Sequence, residues 1–126
     1  MIAAAANNKI MFAGGTSYNK DSTGIPMRRV DIYDISSNSW SMKTLPEHPR
    51  WRADMGIAVV NNKIFLAAGG FWGDDIYTNR VDIYDVTGNN WSVSSLSEYR
   101  RAATGISSVN KVFFAGGLTF NEGSEH

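Results

Sequence analysis

The chain has 126 residues, with 12 Lys+Arg against 12 Asp+Glu, 43% apolar residues and no Cys. This length suits one domain, and a balanced charge provides no basic field for nucleic acid or an anionic membrane. The lack of Cys removes disulfides, thiol nucleophiles and thiolate metal sites, and two His residues are too few for a His-rich cluster. No run of about 18 apolar residues exists to span a bilayer, and the Met1–Ala6 stretch does not read as a signal peptide. The composition fits any compartment.

Self-similarity organises the rest. Arg29-Val30-Asp31-Ile32-Tyr33-Asp34 returns as Arg80-Val81-Asp82-Ile83-Tyr84-Asp85, and Trp40-Ser41 returns as Trp91-Ser92 at the same offset. Of the 17 positions 29–45, ten are identical at that offset, which is far above chance. A Lys-led apolar run ending in a glycine pair occurs three times, at Gly14-Gly15, Gly69-Gly70 and Gly116-Gly117. Arg52-Ala53-Asp54-Met55-Gly56-Ile57 likewise echoes Arg101-Ala102-Ala103-Thr104-Gly105-Ile106. The period is about 50 residues, the range of a propeller blade.

In chain order, four short strands are predicted per repeat. The first repeat has strands at 2–6, 9–15, 28–35 and 40–44, and the second at 54–60, 63–70, 79–86 and 91–95. The third has only 102–109 and 111–117. Asn7-Asn8, Asn61-Asn62 and Asn110 supply residues that tolerate the left-handed turns of tight hairpins. Val81 to Val86 alternates as a strand with two unlike faces does, and helical periodicity is absent.

A diglycine closing an apolar strand, followed by a Tyr and a Trp with six residues between them (Tyr33 with Trp40, Tyr84 with Trp91), resembles the kelch motif. The resemblance implies an all-β fold of four-stranded antiparallel blades around a central channel. Phe12, Phe65 and Phe113 or Phe114 stand where many kelch repeats carry Tyr, which keeps the ring and loses the hydroxyl. Within that fold the repeated Gly14, Gly15, Gly69, Gly70, Gly116 and Gly117 allow close backbone approach. Tyr33, Trp40, Tyr84 and Trp91 supply apolar area between blades. Recurrence in successive blades points to packing rather than to one site.

The resulting organisation is an incomplete ring over residues 1–126: a first blade at about 1–46, a second at about 52–96, a half blade at about 101–117 and a tail at 118–126. Propellers close with about four to eight blades, so such an array leaves apolar faces and strand edges uncovered. The remaining blades in cis are the expected cover, with another copy in trans as the competing one.

Binding residues concentrate on loops held by a rigid framework, and aromatic and Arg side chains are the usual anchors. The loops joining second to third strands, and the connections between blades, carry Tyr18, His48, Arg50, Trp51, Phe71, Trp72, Tyr77, Tyr99 and Arg100, which form the candidate binding face. No catalytic constellation assembles. Asp74-Asp75 lacks the further oxygen ligands of a cation site, no Gly-x-Ser-x-Gly elbow occurs, and the glycine pairs lack the Lys-Ser/Thr of a phosphate loop. The sequence implies no metal and no cofactor. It favours a non-enzymatic kelch-repeat module, or a fragment of one, that meets a protein partner. Two readings compete: a fragment of a kelch-like enzyme acting on sugars, such as a sialic-acid epimerase, and a carbohydrate-binding propeller stacking sugars on Trp51, Trp72 and Tyr77. An oxidase resembling galactose oxidase needs a Tyr–Cys cross-link that this chain cannot form.

Overall fold

A computed structural model of the chain describes residues 2–14, 16–18, 24–26, 29–46, 55–69, 78–121 and 124–125. Fourteen strands follow in order. They are β1 (Ile2–Ala6), β2 (Lys9–Ala13), β3 (Thr16–Tyr18), β4 (Gly24–Pro26), β5 (Arg29–Asp34), β6 (Ser39–Thr44) and β7 (Gly56–Val60). Then come β8 (Lys63–Ala67), β9 (Thr78–Asp85), β10 (Asn90–Arg101), β11 (Thr104–Ser108), β12 (Lys111–Ala115), β13 (Leu118–Asn121) and β14 (Ser124–Glu125). All described pairings are antiparallel, and no described residue is helical.

The first sheet has the order β1-β2-β5-β6, and the second runs β7-β8-β9-β10 before continuing to β13 and β14. The β11-β12 hairpin forms a third, two-stranded sheet. The all-β expectation of four-stranded antiparallel blades in an incomplete ring is met. β7 lies between β1 and β11, so the first strands of successive sheets neighbour one another, as blades around an axis require.

Two short-range devices set the hairpins. Where second strands follow first strands, Asn7, Asn8 and Asn61 take positive φ of 46°, 62° and 54°. The amide side chain makes that region accessible. The third hairpin puts Val109 there at φ 50°, an unfavourable place for a β-branched residue. Between third and fourth strands, Asp34 Oδ1 accepts hydrogen bonds from the backbone N–H of Ser36 (2.9 Å) and Ser37 (3.2 Å). Asp85 Oδ1 does the same for Thr87 (3.0 Å) and Gly88 (2.9 Å). Asn38 and Asn89 close these turns at positive φ, each accepting a hydrogen bond from the Tyr hydroxyl five residues earlier, Tyr33 or Tyr84. The repeated Asp-to-Asn spacing is thus a turn cap.

The core lies between the first two sheets. Met11, Ala13, Val30 and Ile32 on one face of the first sheet meet Ile64, Leu66 and Tyr84 on the facing side of the second, with Trp91 partly buried beside them. Lys43 extends its ammonium to 5.8 Å from the centre of the Tyr84 ring, a cation–π contact across the interface. Arg80 donates from Nε to Asp82 at 2.9 Å and from Nη2 to the Pro46 carbonyl at 3.2 Å, tying the second sheet to the end of the first.

Between the second sheet and the β11-β12 hairpin the backbones approach closely. A Cβ at Gly105 would lie 2.3 Å from the Ile57 carbonyl oxygen, and one at Gly56 would lie 2.7 Å from that of Ala103. Only glycine fits at such a distance.

Three segments differ from the sequence expectation. Part of the loop at 16–27 forms the β3-β4 hairpin, whose three-residue strands are too short to show alternation. β10 runs on to Arg101, through the stretch expected as an inter-blade connection, after a register break between Ser95 and Arg100. Leu118 to Asn121, expected as loop, pairs with the far end of β10.

Candidate functional site

Of the candidate binding residues, the structure describes the side chains of Tyr99 and Arg100. Tyr18 sits at the end of β3, its side chain outside the described set; His48, Arg50, Trp51, Phe71, Trp72 and Tyr77 lie outside the described residues. Gly15 and Gly70 lie outside them too.

Tyr99 and Arg100 occupy the last turn-ward residues of β10, at the rim where the glycine-ended strands finish. Arg100 is the junction of this rim. Its backbone carbonyl accepts a hydrogen bond from the Gly69 N–H at 3.0 Å, after the second sheet's Lys-led strand. Its guanidinium donates from Nη1 to the Gly116 carbonyl at 2.8 Å, at the matching place in the third repeat, and from Nη2 to Glu98 at 2.8 Å. Two successive glycine turns therefore meet on one arginine.

The glycines of the third pair have different jobs. Gly116 takes φ +70° with open space around its Cβ position, so conformation selects it. Gly117, at φ +73°, would place a Cβ 2.2 Å from the Arg101 carbonyl oxygen, so contact selects it as well. In the second repeat Ala68, not a glycine, occupies the positive-φ place straight after the strand (φ 61°), and Gly69 follows at φ 110°.

Tyr99, next to this junction in the chain, is 53% exposed. It is an aromatic side chain fixed beside a hydrogen-bonded arginine, in the part of β10 where pairing with β9 is interrupted. Such an exposed, amphipathic ring suits recognition. Sequence reasoning placed it on a connection; the structure places it within β10.

The repeated carboxylates have structural partners. Asp34 and Asp85 cap turns, while Asp31 pairs with Arg29 at 2.8 Å and Asp82 with Arg80 at 2.9 Å. Among the described residues no group of three or more His, Asp or Glu side chains is arranged to hold a metal ion.

A second surface stands out at the first sheet's outer face. There Phe12, Tyr33 and Trp40 form an aromatic row, with ring centres 6.0 Å apart for Phe12–Trp40 and 5.0 Å for Tyr33–Trp40. Trp40 is 64% exposed, and Met42 beside it is similarly open. Sequence reasoning named Tyr33 and Trp40 as packing residues and noted Phe12 as a ring in the place of a Tyr, but passed over Met42. The alternation Trp40-Ser41-Met42 in a fourth strand is the signal that marks the face.

Comparison with known proteins agrees with this geometry. A family model described as the Kelch motif matches residues 52–95. The chain is 31% identical over 122 residues to Kelch-like protein 38 of Danio rerio, covering 94% of this chain and 18% of that protein. It therefore spans about a fifth of the length of that curated relative. No helix among the described residues is long and apolar enough to cross a membrane. With the glycine-ended strands, the Tyr–Trp pairs and the stacked antiparallel sheets, these matches identify the repeats of the chain as kelch repeats.

Proposed function

We propose that this chain is a non-enzymatic protein-binding module, or part of one, whose partner is met by the rim that carries Tyr99. The observation behind this reading is a division of labour. Residues that repeat from sheet to sheet are used up by the fold: Asp34 and Asp85 in turns, Arg80 and Asp82 in a buried pair, Tyr84 and Trp91 in the core. The aromatic and Arg residues that do not repeat cluster outside the repeated motif segments, and Tyr99, the one among them with a described ring, is 53% exposed. Fold alone does not specify function, so the variable rim has to carry it.

The face comprises Tyr18, His48, Arg50, Trp51, Phe71, Trp72 and Tyr77 together with Tyr99 and Arg100. Arg100 acts chiefly by positioning, since its guanidinium is bound to Gly116 and Glu98.

Affinity capture followed by binding titration with the captured protein tests the proposal. Tyr99→Ala and Trp72→Ala are expected to weaken binding about tenfold or more each, as truncated interface anchors do. Lys111→Ala, on the far hairpin, leaves it unchanged. Saturable binding to a glycan, abolished by Trp72→Ala in the absence of any protein partner, overturns the proposal in favour of a carbohydrate-binding module.

A further inference from the structure

The two edges of β10 are unlike. One pairs with β9 without a break from Asn90, opposite Asp85, to Ser95, opposite Arg80. The other is filled at its far end, where β13 sets Thr119 opposite Arg100 and Leu118 opposite Arg101 on the side away from β9. Among the described residues no strand lies on that side of Asn90–Ser95, and the side chains there from Ser92 to Ser95 are exposed. Edge strands are ordinarily blunted by Lys or Pro, which keep other strands away. β6, the fourth strand of the first sheet, follows that rule: it carries Lys43, and Pro46 comes soon after its end. At the offset that aligns Trp40 with Trp91, Ser94 stands in place of Lys43 and Ser97 in place of Pro46, so β10 is left unguarded. Between the open stretch and β13 lies a bulge in which Leu96 to Tyr99 oppose Asn79 alone, and Asn79 Nδ2 donates to the Leu96 carbonyl at 3.3 Å. Bulges re-aim side chains, and this one puts the exposed Tyr99 at the end of the open edge.

We propose that the Asn90–Ser95 edge takes up an extended peptide segment of the protein partner as an added antiparallel strand, an inference that rests on the protein-binding reading above. β13 is the precedent, since it already lies antiparallel on the same side of the same strand. In such an addition the main-chain N–H and C=O groups supply the affinity, and alternate side chains supply the specificity. Ser92 and Ser94 stand on one face of the edge, and Val93, which is 54% exposed, stands on the other. Hydroxyls pair well with Thr or Ser across strands, and Val pairs well with β-branched residues. The segment recognised is therefore uncharged and free of Pro, alternating Thr or Ser with Val or Ile. Its path along the edge leads to the Tyr99 bulge, which joins the edge to the rim already assigned to binding.

A displayed library of random peptides of about eight residues, a little longer than a typical strand, supplies the probe. Enriched peptides are expected to show the hydroxyl and β-branched alternation. Backbone N-methylation at successive positions of one such peptide should weaken binding about tenfold at every second position and leave the positions between unaffected. In the chain itself, amide exchange followed by NMR should slow at alternate residues of Asn90–Ser95 when the peptide binds. Ser94→Lys, which copies a residue that β6 already accommodates, should weaken binding and leave the urea midpoint unchanged. The absence of any enriched peptide overturns the proposal, as does an N-methyl scan without the two-residue period. Where a peptide lacks that period yet loses binding to Tyr99→Ala, the rim stands as the partner site and the added strand alone fails. A dimer that forms without peptide and dissolves on Ser94→Lys also overturns the proposal, in favour of β10 pairing with its own copy.

Discussion

The first and second sheets contain the same kelch elements in two different settings. Tyr33–Trp40 and Tyr84–Trp91 have the same ring separation of 5.0 Å and the same interplanar angle of 44°. Their turns carry the same Asp caps and the same Tyr-to-Asn hydrogen bond. Yet Tyr84 is buried and Trp91 partly so, while Trp40 stands open; Asp82 is wholly buried, while Asp31 is only partly covered. Geometry inside a blade is therefore set by its own residues, and burial is set by its neighbour. Equal motifs should then have unequal energetic weight.

The largest expected difference lies in the Arg–Asp pairs. Asp82→Asn removes the charge facing Arg80 in a desolvated setting and should cost about 3 kcal/mol. Asp31→Asn breaks an exposed pair of the same geometry and should cost about 0–1 kcal/mol. Urea midpoints of the two variants measure the gap, and equal losses would break the comparison. The Trp pair comes next: Trp91→Ala is expected to destabilise by about 2–3 kcal/mol, against less than about 1 kcal/mol for Trp40→Ala.

The smallest effect is the most specific to burial. Desolvation pushes the Tyr84 hydroxyl above its ordinary value of 10.0, and the negative charge of Asp85 adds to the shift. The unfolded chain releases this proton near pH 10 and the folded chain only at higher pH. Stability that is intact below pH 10 is accordingly lost as pH climbs from there through the raised folded value. Tyr84→Phe should cost about 1 kcal/mol at neutral pH, through the lost bond to Asn89, and should flatten the alkaline decline. Chemical denaturation across pH 9 to 12 (about one point per half unit) resolves the two slopes.

Much of this fold was legible in the sequence because its signals are local. The turn from Asp34 to Asn38 and its copy from Asp85 to Asn89 need only residues within five positions, and the apolar alternation of Val81 to Val86 needs only one strand. The extension of β10 was not legible. Leu96 to Tyr99 is mostly exposed and lies in the register break with β9, so no alternation marks it, and β13, which pairs with Arg100 and Arg101 just beyond, lies some twenty residues away. The difference between Trp40 and Trp91 was beyond local reading as well, since the two segments are nearly identical and only the next sheet distinguishes them. Tyr99 was identified by residue type and position, while the arginine junction beneath it depends on Gly69 and Gly116, which approach it only in three dimensions.

The self-contained turns bear on how the chain acquires its structure. Each β5-β6 or β9-β10 hairpin holds its own cap, so it can close without waiting for distant segments, and hairpins of this kind form in about 1–10 μs. Assembly then reduces to stacking preformed ribbons in sequence, a quasi-linear process in which each ribbon is stabilised by those beside it. Amide protons of β6, at the solvent edge, should consequently exchange well before those of β8, in the centre of the stack.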